Sequence, residues 1–107
     1  MCATNVGAAD RIFKLSSLKK FDLVIIDECA QALEVSCWIP LLKGKRVVLA
    51  GDHKQLSPTV KFQQNSLLSY TLFSRAMNNL PHIGSTMLEV QYRMNRKIMG
   101  WSNKQFY

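Results

Sequence analysis

The sequence predicts an α/β fold in which a parallel sheet has helices on both faces. Two short runs of large aliphatic residues, Leu23–Ile26 and Val47–Ala50, contain no polar residue. Continuous apolar runs of this length are typical of strands buried on both faces, as in parallel sheets. A later run, Thr86–Val90, is predicted to form a third strand.

The segment between the first two strands, Cys29–Trp38, is predicted to form one helix that ends before Pro40. Its apolar residues recur at helical spacing and form the face expected to pack on the sheet: Ala32, Leu33, Val35 and Trp38. We expect Trp38 to be a core residue rather than a base-stacking platform, because it lies in that stripe. The span from Asp22 to Asp52 therefore has the length of one right-handed βαβ unit.

The remaining segments are interpreted as connections and two further helices. Ala8–Lys20 is expected to be a connection that leads into the first strand. Ser66 is predicted to cap a helix that is closed by Pro81 and has a core face made of Leu68, Leu72, Phe73, Ala76 and Leu80. Asn95 is predicted to cap a last helix whose shared face contains Ile98, Trp101, Gln105 and Phe106.

Composition and charge restrict the class of protein. The 107 residues are 48% hydrophobic, which is enough for a folded core. Fourteen Lys and Arg residues against seven Asp and Glu residues give a net charge of +7, which indicates a polyanionic partner. No apolar run is long enough to cross a bilayer, so we expect a soluble intracellular protein, in the nucleus or the cytoplasm, with no membrane association. Cys29 and Cys37 are expected to be buried, inert thiols.

The first apolar run ends in two adjacent carboxylates, Asp27 and Glu28. Ligands of open α/β sheets bind at the carboxyl ends of the strands, so these acids are placed where a ligand would be. An apolar strand followed by Asp-Glu is the Walker B pattern of nucleotide-hydrolysing enzymes. Alternatively, the two acids only stabilise the positive end of the following helix. This pattern alone leaves both interpretations open.

Polar clusters follow all three predicted strands, and the second of them begins with Gly51 and Asp52. Since parallel strands end at one edge of a sheet, Asp27, Glu28, Gly51 and Asp52 are expected to converge. Phosphoryl transfer requires a metal-holding acid, a group that positions water, a neutral sensor of the terminal phosphate and a cation. These roles are assigned in turn to Asp27, Glu28, Gln55 and Arg93.

Three separate motifs of the chain resemble those of a known family. The segments IIDECAQ, LAGDHKQLSPT and VQYRM, in this order and spacing, are similar to motifs II, III and IV of superfamily 1 helicases of the Upf1-like group. Within that group, DECAQALE and SCWIPLL are most similar to the immunoglobulin mu-binding protein 2 type, and ATNVGA resembles motif Ic. The resemblance implies a partial RecA-like P-loop NTPase domain that uses ATP and Mg²⁺.

The resemblance also implies a role for each matching residue. Asp27 would coordinate Mg²⁺ through water, and Glu28 would activate the hydrolytic water. Gln31 would lie beside them and help to couple the site to nucleic acid, while Gln55 would sense the γ-phosphate. Arg93 would act as an arginine finger.

Further roles implied by the resemblance concern nucleotide and strand binding. Gly51 and Asp52 would shape the sensor loop, and Tyr92 would pack on the adenine face, although core packing is the alternative for a tyrosine that borders a strand. Single-stranded DNA or RNA would contact Thr4, Asn5, Pro58 and Thr59.

The chain also departs from the family's pattern. Asn95 and Arg96 follow the QYRM segment, where many relatives carry His-Pro. The 107 residues contain no P-loop of the form G-x-x-x-x-G-K-[ST]. We therefore expect a fragment of a monomeric helicase core, with residues 1–90 in the first RecA-like domain and 91–107 at the start of the second. The P-loop and the rest of the second domain would be required in cis, and the chain alone is expected not to hydrolyse ATP.

Two other functions remain open at this point. A non-catalytic nucleic-acid-binding or interaction protein would keep the basic surface without hydrolysis. A different P-loop ATPase that does not unwind is disfavoured by Gln31, Gln55 and the Tyr92-Arg93 pair. The 5′-to-3′ direction of unwinding rests on the resemblance alone.

Overall fold

The computed structural model of the chain describes residues 1–11, 20–61, 66–80 and 84–107. Most of the predicted connection from Ala8 to Lys20 lies outside these residues, as does Pro81. The part that is described begins with a 3-10 turn at Gly7–Ala9, whose Ala8 is buried.

Two strands form the expected parallel pair. β1 (Val24–Ile26) pairs with β2 (Val47–Leu49), with Val24 opposite Val47 and Ile26 opposite Leu49. The strands are joined by helix α1 (Glu34–Leu41), so the predicted strand–helix–strand order is confirmed. A parallel bridge between Phe21 and Gly44 extends the pairing toward the start of β1.

The two faces of this small sheet are covered unequally. Val24 and Ile26 face a hydrophobic core, and Ile26 is only 2% exposed. On the other face Ile25 is 65% exposed and Val48, its partner in the pairing, is also exposed. The expected burial of β1 on both faces is therefore wrong for the described residues. An unbroken aliphatic run shows that both faces suit apolar contacts, but it does not show which contacts are present.

The core lies between the sheet, α1 and helix α2 (Leu72–Asn79). Its buried members are Ile26, Cys29, Cys37 and Leu72, with Val24, Ala32, Leu41, Leu49 and Phe73 packed around them. The two cysteines are free and fully buried, with their sulfur atoms 3.9 Å apart. Burial, together with the neighbouring Cys37 thiol, raises the pKa of Cys29 to about 12. The prediction of buried thiols of low reactivity is thus confirmed, because the thiolate is the reactive form.

Helix α1 begins later and ends later than predicted. Cys29–Gln31 form a separate 3-10 turn, and Ala32 is extended, so the regular helix begins only at Glu34. Pro40 lies inside the last turn instead of ending the helix, and the N–H of Leu42 still reaches the carbonyl of Trp38. Trp38 is 40% exposed and its indole donates to Glu34 at 3.2 Å, so the prediction that it is a core residue is wrong.

Helix α2 is capped by Thr71 and not, as predicted, by Ser66. The Thr71 hydroxyl oxygen accepts from the backbone N–H of Ser74 at 3.1 Å, and Thr71 is only 2% exposed. Ser66–Ser69 form a 3-10 turn of their own ahead of this helix. Of the predicted core face, Leu72 is buried, whereas Leu80 is 53% exposed.

The last segment contains one helix but not the predicted third strand. Thr86–Val90 pairs with no described strand, and its apolar side chains are exposed. Helix α3 (Arg96–Phe106) follows, and the side chain of Asn95 accepts from the N–H of Lys97 at 2.9 Å, as predicted for its N-cap. Within the described ranges, no helix has the length and hydrophobicity needed to cross a membrane.

Thr71, the buried N-cap of α2, provides a test of how this helix is stabilised. Replacing Thr71 by Val keeps the shape of the side chain but removes the oxygen that accepts from Ser74. We expect Thr71→Val to lower the free energy of unfolding by roughly 1 kcal/mol, the usual cost of a lost N-cap. Denaturant unfolding followed by circular dichroism measures this change. Thr71→Ser, which keeps the hydroxyl, is the matched control, and equal losses in the two variants would contradict the capping role.

Candidate active site

The two predicted acids lie in the turn directly after β1. Asp27 and Glu28 are both exposed, and a carboxylate oxygen of Asp27 accepts from the backbone N–H of Glu28 at 2.9 Å. Glu28 adopts the left-handed conformation with φ of 51°, the only non-glycine residue to do so among those described. Such a conformation costs roughly 1–3 kcal/mol and persists only where the surrounding structure imposes it.

Backbone hydrogen bonds on both sides hold this turn. The N–H of Ala50, at the end of β2, donates to the carbonyl of Ile26 at 2.9 Å, and the N–H of Cys29 donates to the carbonyl of Ala50 at 2.8 Å. The N–H of Gln31 donates to the carbonyl of Glu28 at 2.9 Å. The position of Glu28 is therefore fixed by the strand pairing itself and by the 3-10 turn that follows.

Gln31 contacts the side chain of Glu28 directly. Its amide nitrogen donates to the Oε2 atom of Glu28 at 2.8 Å, which places Gln31 beside the acids as predicted. The acids do not cap a regular helix: Glu28 makes no side-chain capping bond to the 3-10 turn, and α1 begins only at Glu34. The described residues therefore do not support the helix-capping interpretation of Glu28, and the ligand-site interpretation stays a prediction.

Gly51 brings the end of β2 against the turn that follows Glu28. A Cβ atom at this position would lie 2.9 Å from the backbone nitrogen of Ala30 and 3.2 Å from that of Cys29. Backbone atoms held by the strand pairing cannot move aside easily, so only glycine allows this approach. The predicted convergence of the two strand ends is thus present, and Gly51 lies at the point where they meet.

The loop after Gly51 is organised by the carboxylate of Asp52. Its Oδ1 accepts from the N–H of Lys54 at 2.9 Å, and its Oδ2 accepts from the amide nitrogen of Gln55 at 2.7 Å. The Tyr107 hydroxyl donates to the same Oδ2 atom. Partial burial of Asp52 raises its pKa, but these hydrogen bonds and the nearby His53 outweigh that effect, and the pKa is lowered.

A groove of about 730 Å³ lies against β1, is lined by residues from both sides of the strand, and extends to the two acids at the strand end. Its lining includes Ile25 on the strand, Asp27 and Glu28 at the strand end, and Thr4 and Asn5 from the start of the chain. Asp27 and Glu28 therefore border the same opening as Thr4 and Asn5, which are two of the residues predicted to contact nucleic acid.

The four residues predicted to contact nucleic acid differ in their surroundings. The Thr4 hydroxyl oxygen accepts from the N–H of Gly7 at 3.0 Å, and Asn5 is half-buried. Thr59 is exposed, whereas Pro58 is buried.

Tyr92 and Arg93 lie in an exposed turn that is shaped by Gln91. The side-chain oxygen of Gln91 accepts from the N–H groups of Arg93 and Met94 at 3.0 and 2.9 Å, and its amide nitrogen donates to the carbonyl of Met94. Tyr92 is 95% exposed, so it does not pack in the core formed by the described residues. Arg93 makes no ion pair with the described acids, so the structure does not bring it to Asp27 or Glu28.

Two residues that organise this region were not assigned a role from the sequence. Gln91 lies within the VQYRM segment, and nothing in the spacing shows that its side chain closes the turn around Arg93. Tyr107 is far from Asp52 in the sequence, and no motif connects them. Only the folded arrangement could reveal either contact.

Comparison with known proteins shows which family the chain belongs to. A family model described as an AAA domain matches residues 1–63, and a second model with the same description matches residues 68–107. An uncharacterized ATP-dependent helicase of Methanocaldococcus jannaschii is 50% identical over 105 residues, which is 98% of this chain and 15% of that protein.

Two further relatives are eukaryotic. The DNA-binding protein SMUBP-2 of Rattus norvegicus is 48% identical over 98% of this chain and 11% of its own length. The ATP-dependent helicase NAM7 of Saccharomyces cerevisiae is 42% identical over the whole chain and 11% of its own length. The chain thus spans only a small part of the relatives that it matches. It belongs to the AAA domain family and, within that family, corresponds to a segment of a superfamily 1 helicase of the Upf1-like group.

Proposed function

We propose that this chain supplies part of the ATP-hydrolysing core of a 5′-to-3′ helicase that acts on DNA or RNA. The observation that carries the proposal is the common edge of β1 and β2, where Asp27 and Glu28 lie beside the Gly51 loop. Relatives whose names describe ATP-dependent helicases align over nearly the whole chain, and they support the use of a nucleotide.

Glu28 is the proposed general base. As the oxygen of a water molecule forms a bond to the terminal phosphorus of ATP, the carboxylate of Glu28 accepts the proton, and the bond from that phosphorus to the leaving ADP breaks. Gln31 donates to Oε2 of Glu28, which fixes the orientation of the carboxylate and leaves Oε1 for the water. Gln31 is thus proposed to connect the base to the rest of the site.

Asp27 fits the role of a magnesium ligand. Mg²⁺ is commonly bound through one or two carboxylates together with water molecules and substrate phosphates, and Asp27 is an exposed carboxylate at the end of a strand. The backbone N–H of Glu28 donates to Oδ1 of Asp27 and thereby fixes the position of that oxygen. When bound with ATP, Mg²⁺ neutralises charge on the phosphates.

The remaining nucleotide contacts come from two exposed loops. Gln55, held by Asp52, is proposed to sense the γ-phosphate. Tyr92 offers an exposed ring for the adenine face, and Arg93 offers a guanidinium group for the charge that develops in the transition state. In this proposal residues 91–107 begin the second RecA-like domain, and its movement brings Arg93 to the nucleotide.

The nucleic-acid contacts are proposed to lie at the groove beside β1 and at exposed basic residues such as Arg96 and Lys97. Thr4, Asn5 and Thr59 are polar residues suited to the strand backbone, whereas the buried Pro58 would act by shaping its loop. A monomeric helicase core, located in the nucleus or the cytoplasm, has access to both ATP and single strands.

We expect the chain to bind single-stranded nucleic acid without sequence preference and in a strongly salt-dependent manner. The net charge of +7 attracts phosphates, and their contacts release counterions. Fluorescence anisotropy with a labelled oligonucleotide at several salt concentrations measures the dependence. A binding constant that is the same at low and moderate salt would contradict the proposal.

Single substitutions of basic residues test which of them contact the phosphates of the nucleic acid. Arg96 and Lys97 are exposed at the start of α3, and if each contacts a phosphate, Arg96→Ala and Lys97→Ala each reduce the salt slope by about 0.7. Lys45 is the matched control, because its ammonium group is already paired with Asp22 at 2.7 Å. An equal effect of Lys45→Ala would show that only total charge matters.

Glu28→Gln tests the general base in a longer protein that joins this chain to a P-loop. The substitution keeps the size of the side chain and its contact with Gln31 but removes the proton acceptor. We expect ATP turnover to fall by roughly 10²–10⁴-fold, while nucleotide affinity changes little because Asp27 remains. Turnover, nucleotide affinity and melting temperature are measured on the same variant.

Asp22→Asn is the control for Glu28→Gln. Asp22 is an exposed acid outside the site, so its loss should leave turnover unchanged. Near-normal turnover of Glu28→Gln with a lowered melting temperature would remove Glu28 from the catalytic residues. Strand binding without any turnover in the unmodified longer protein would favour the non-catalytic nucleic-acid-binding alternative.

A further inference from the structure

The carboxylate of Asp52 connects two segments that lie far apart in the sequence. Oδ2 of Asp52 accepts both from the side-chain amide of Gln55 and from the hydroxyl of Tyr107, the residue that follows α3. The N–H of Lys54 occupies Oδ1 at 2.9 Å. Each oxygen of this carboxylate is therefore engaged, and one of them is shared between the loop after β2 and the end of the last helix.

The contact with Asp52 determines how the amide of Gln55 is oriented. A carboxylate only accepts hydrogen bonds, so the NH₂ group of Gln55 is the end that faces Asp52. The carbonyl oxygen of this amide is left for a ligand, whereas the side chain of Gln55 also hydrogen-bonds with the Tyr107 hydroxyl, which partly offsets the effect of Asp52 on the pKa of Tyr107. The backbone N–H of Gln55 also donates to the carbonyl of Asp52 at 3.3 Å, which restricts the residue further.

Tyr107 and Gln55 both donate a hydrogen bond to Oδ2 of Asp52. The hydroxyl of Tyr107 brings a second donor to Oδ2, so the position of the carboxylate depends on whether the end of α3 lies against this loop. A tyrosine hydroxyl carries its proton at neutral pH and can therefore donate here, and the hydrogen bond to Asp52 raises the pKa of Tyr107. Two neighbouring residues of the loop, His53 and Lys54, also act on Asp52, and the ring of His53 stacks on Phe73 of α2.

We propose that Tyr107 is a positioning residue that acts through Asp52 on Gln55, so that the placement of α3 sets the orientation of the γ-phosphate-sensing amide. This inference rests on the proposed function because it takes Gln55 as the γ-phosphate sensor. The hydrogen bond between Tyr107 and Asp52 is independent of that function. The segment 91–107 also carries Arg93, so one movement of this segment would adjust both the cation and the sensor.

The contact is tested on the 107-residue chain by nuclear magnetic resonance. Tyr107→Phe removes only the hydroxyl, and we expect the titration midpoint of the Asp52 carboxyl to rise and the side-chain amide signals of Gln55 to shift. Tyr70→Phe is the matched control, because the Tyr70 hydroxyl accepts from Asn78 at 2.9 Å on another surface. Wild-type Asp52 and Gln55 signals in Tyr107→Phe would overturn the proposal.

A reciprocal variant guards against a local loss of structure in Tyr107→Phe. Asp52→Asn keeps the shape of the side chain but removes the charge that holds the hydroxyl proton, so the pKa of Tyr107 should fall toward its ordinary value. Ultraviolet absorbance titration, with Tyr107→Phe subtracted to identify the signal, measures this pKa. An unchanged Tyr107 titration in Asp52→Asn would also overturn the proposal.

A kinetic measurement separates the positioning role from the proposed function. In a longer protein that contains a P-loop, Tyr107→Phe should lower kcat for ATP several-fold while KM changes little. If the contact is present but kcat is unchanged, Tyr107 is not a positioning residue. If the unmodified protein has no turnover, the proposed function fails, while the resonance and absorbance titrations still decide whether the contact exists.

Discussion

The hydrogen bonds between the ends of the two parallel strands are the interaction on which the rest of the structure depends. Ala50, which directly follows β2, donates to Ile26 and accepts from Cys29, so it connects the last residue of β1, the end of β2 and the start of the 3-10 turn. Because of these bonds, Asp27 and Glu28 leave the sheet in one defined direction. The same bonds hold the backbone atoms against which Gly51 packs.

This edge combines a strained residue with a close backbone approach. Glu28 is held in the left-handed conformation, and Gly51 lies where no other residue would fit. Both features restrict the chain just where an acid must be presented at the surface. The charged residues of the site need not be buried, since the core below them consists of Ile26, Cys29 and Cys37 and provides the rigidity.

The sequence was sufficient to predict the features that depend on neighbouring residues. The parallel pair, the acids after β1 and the Asn95 cap all follow from short patterns and are present. Features that depend on distant contacts were predicted incorrectly. Trp38 has the spacing of a core residue but lies at the surface, and Thr86–Val90 has strand propensity but pairs with no described strand. The Asp52–Tyr107 contact could not be predicted, because its residues share no motif.

The three cysteines provide a natural reporter of how often the core opens. Cys29 and Cys37 have no exposed surface, whereas Cys2 is exposed near the start of the chain. A thiol-labelling reagent therefore reacts with Cys2 at the rate of a free thiol, and with the buried pair only during excursions that separate α1 from the sheet. The ratio of the labelling rate of the buried pair to that of Cys2 gives the free energy of that opening, and Cys2 serves as an internal reference in the same chain. Since Cys29 adjoins Glu28 in the chain, the measurement reports on the support of the acid turn directly.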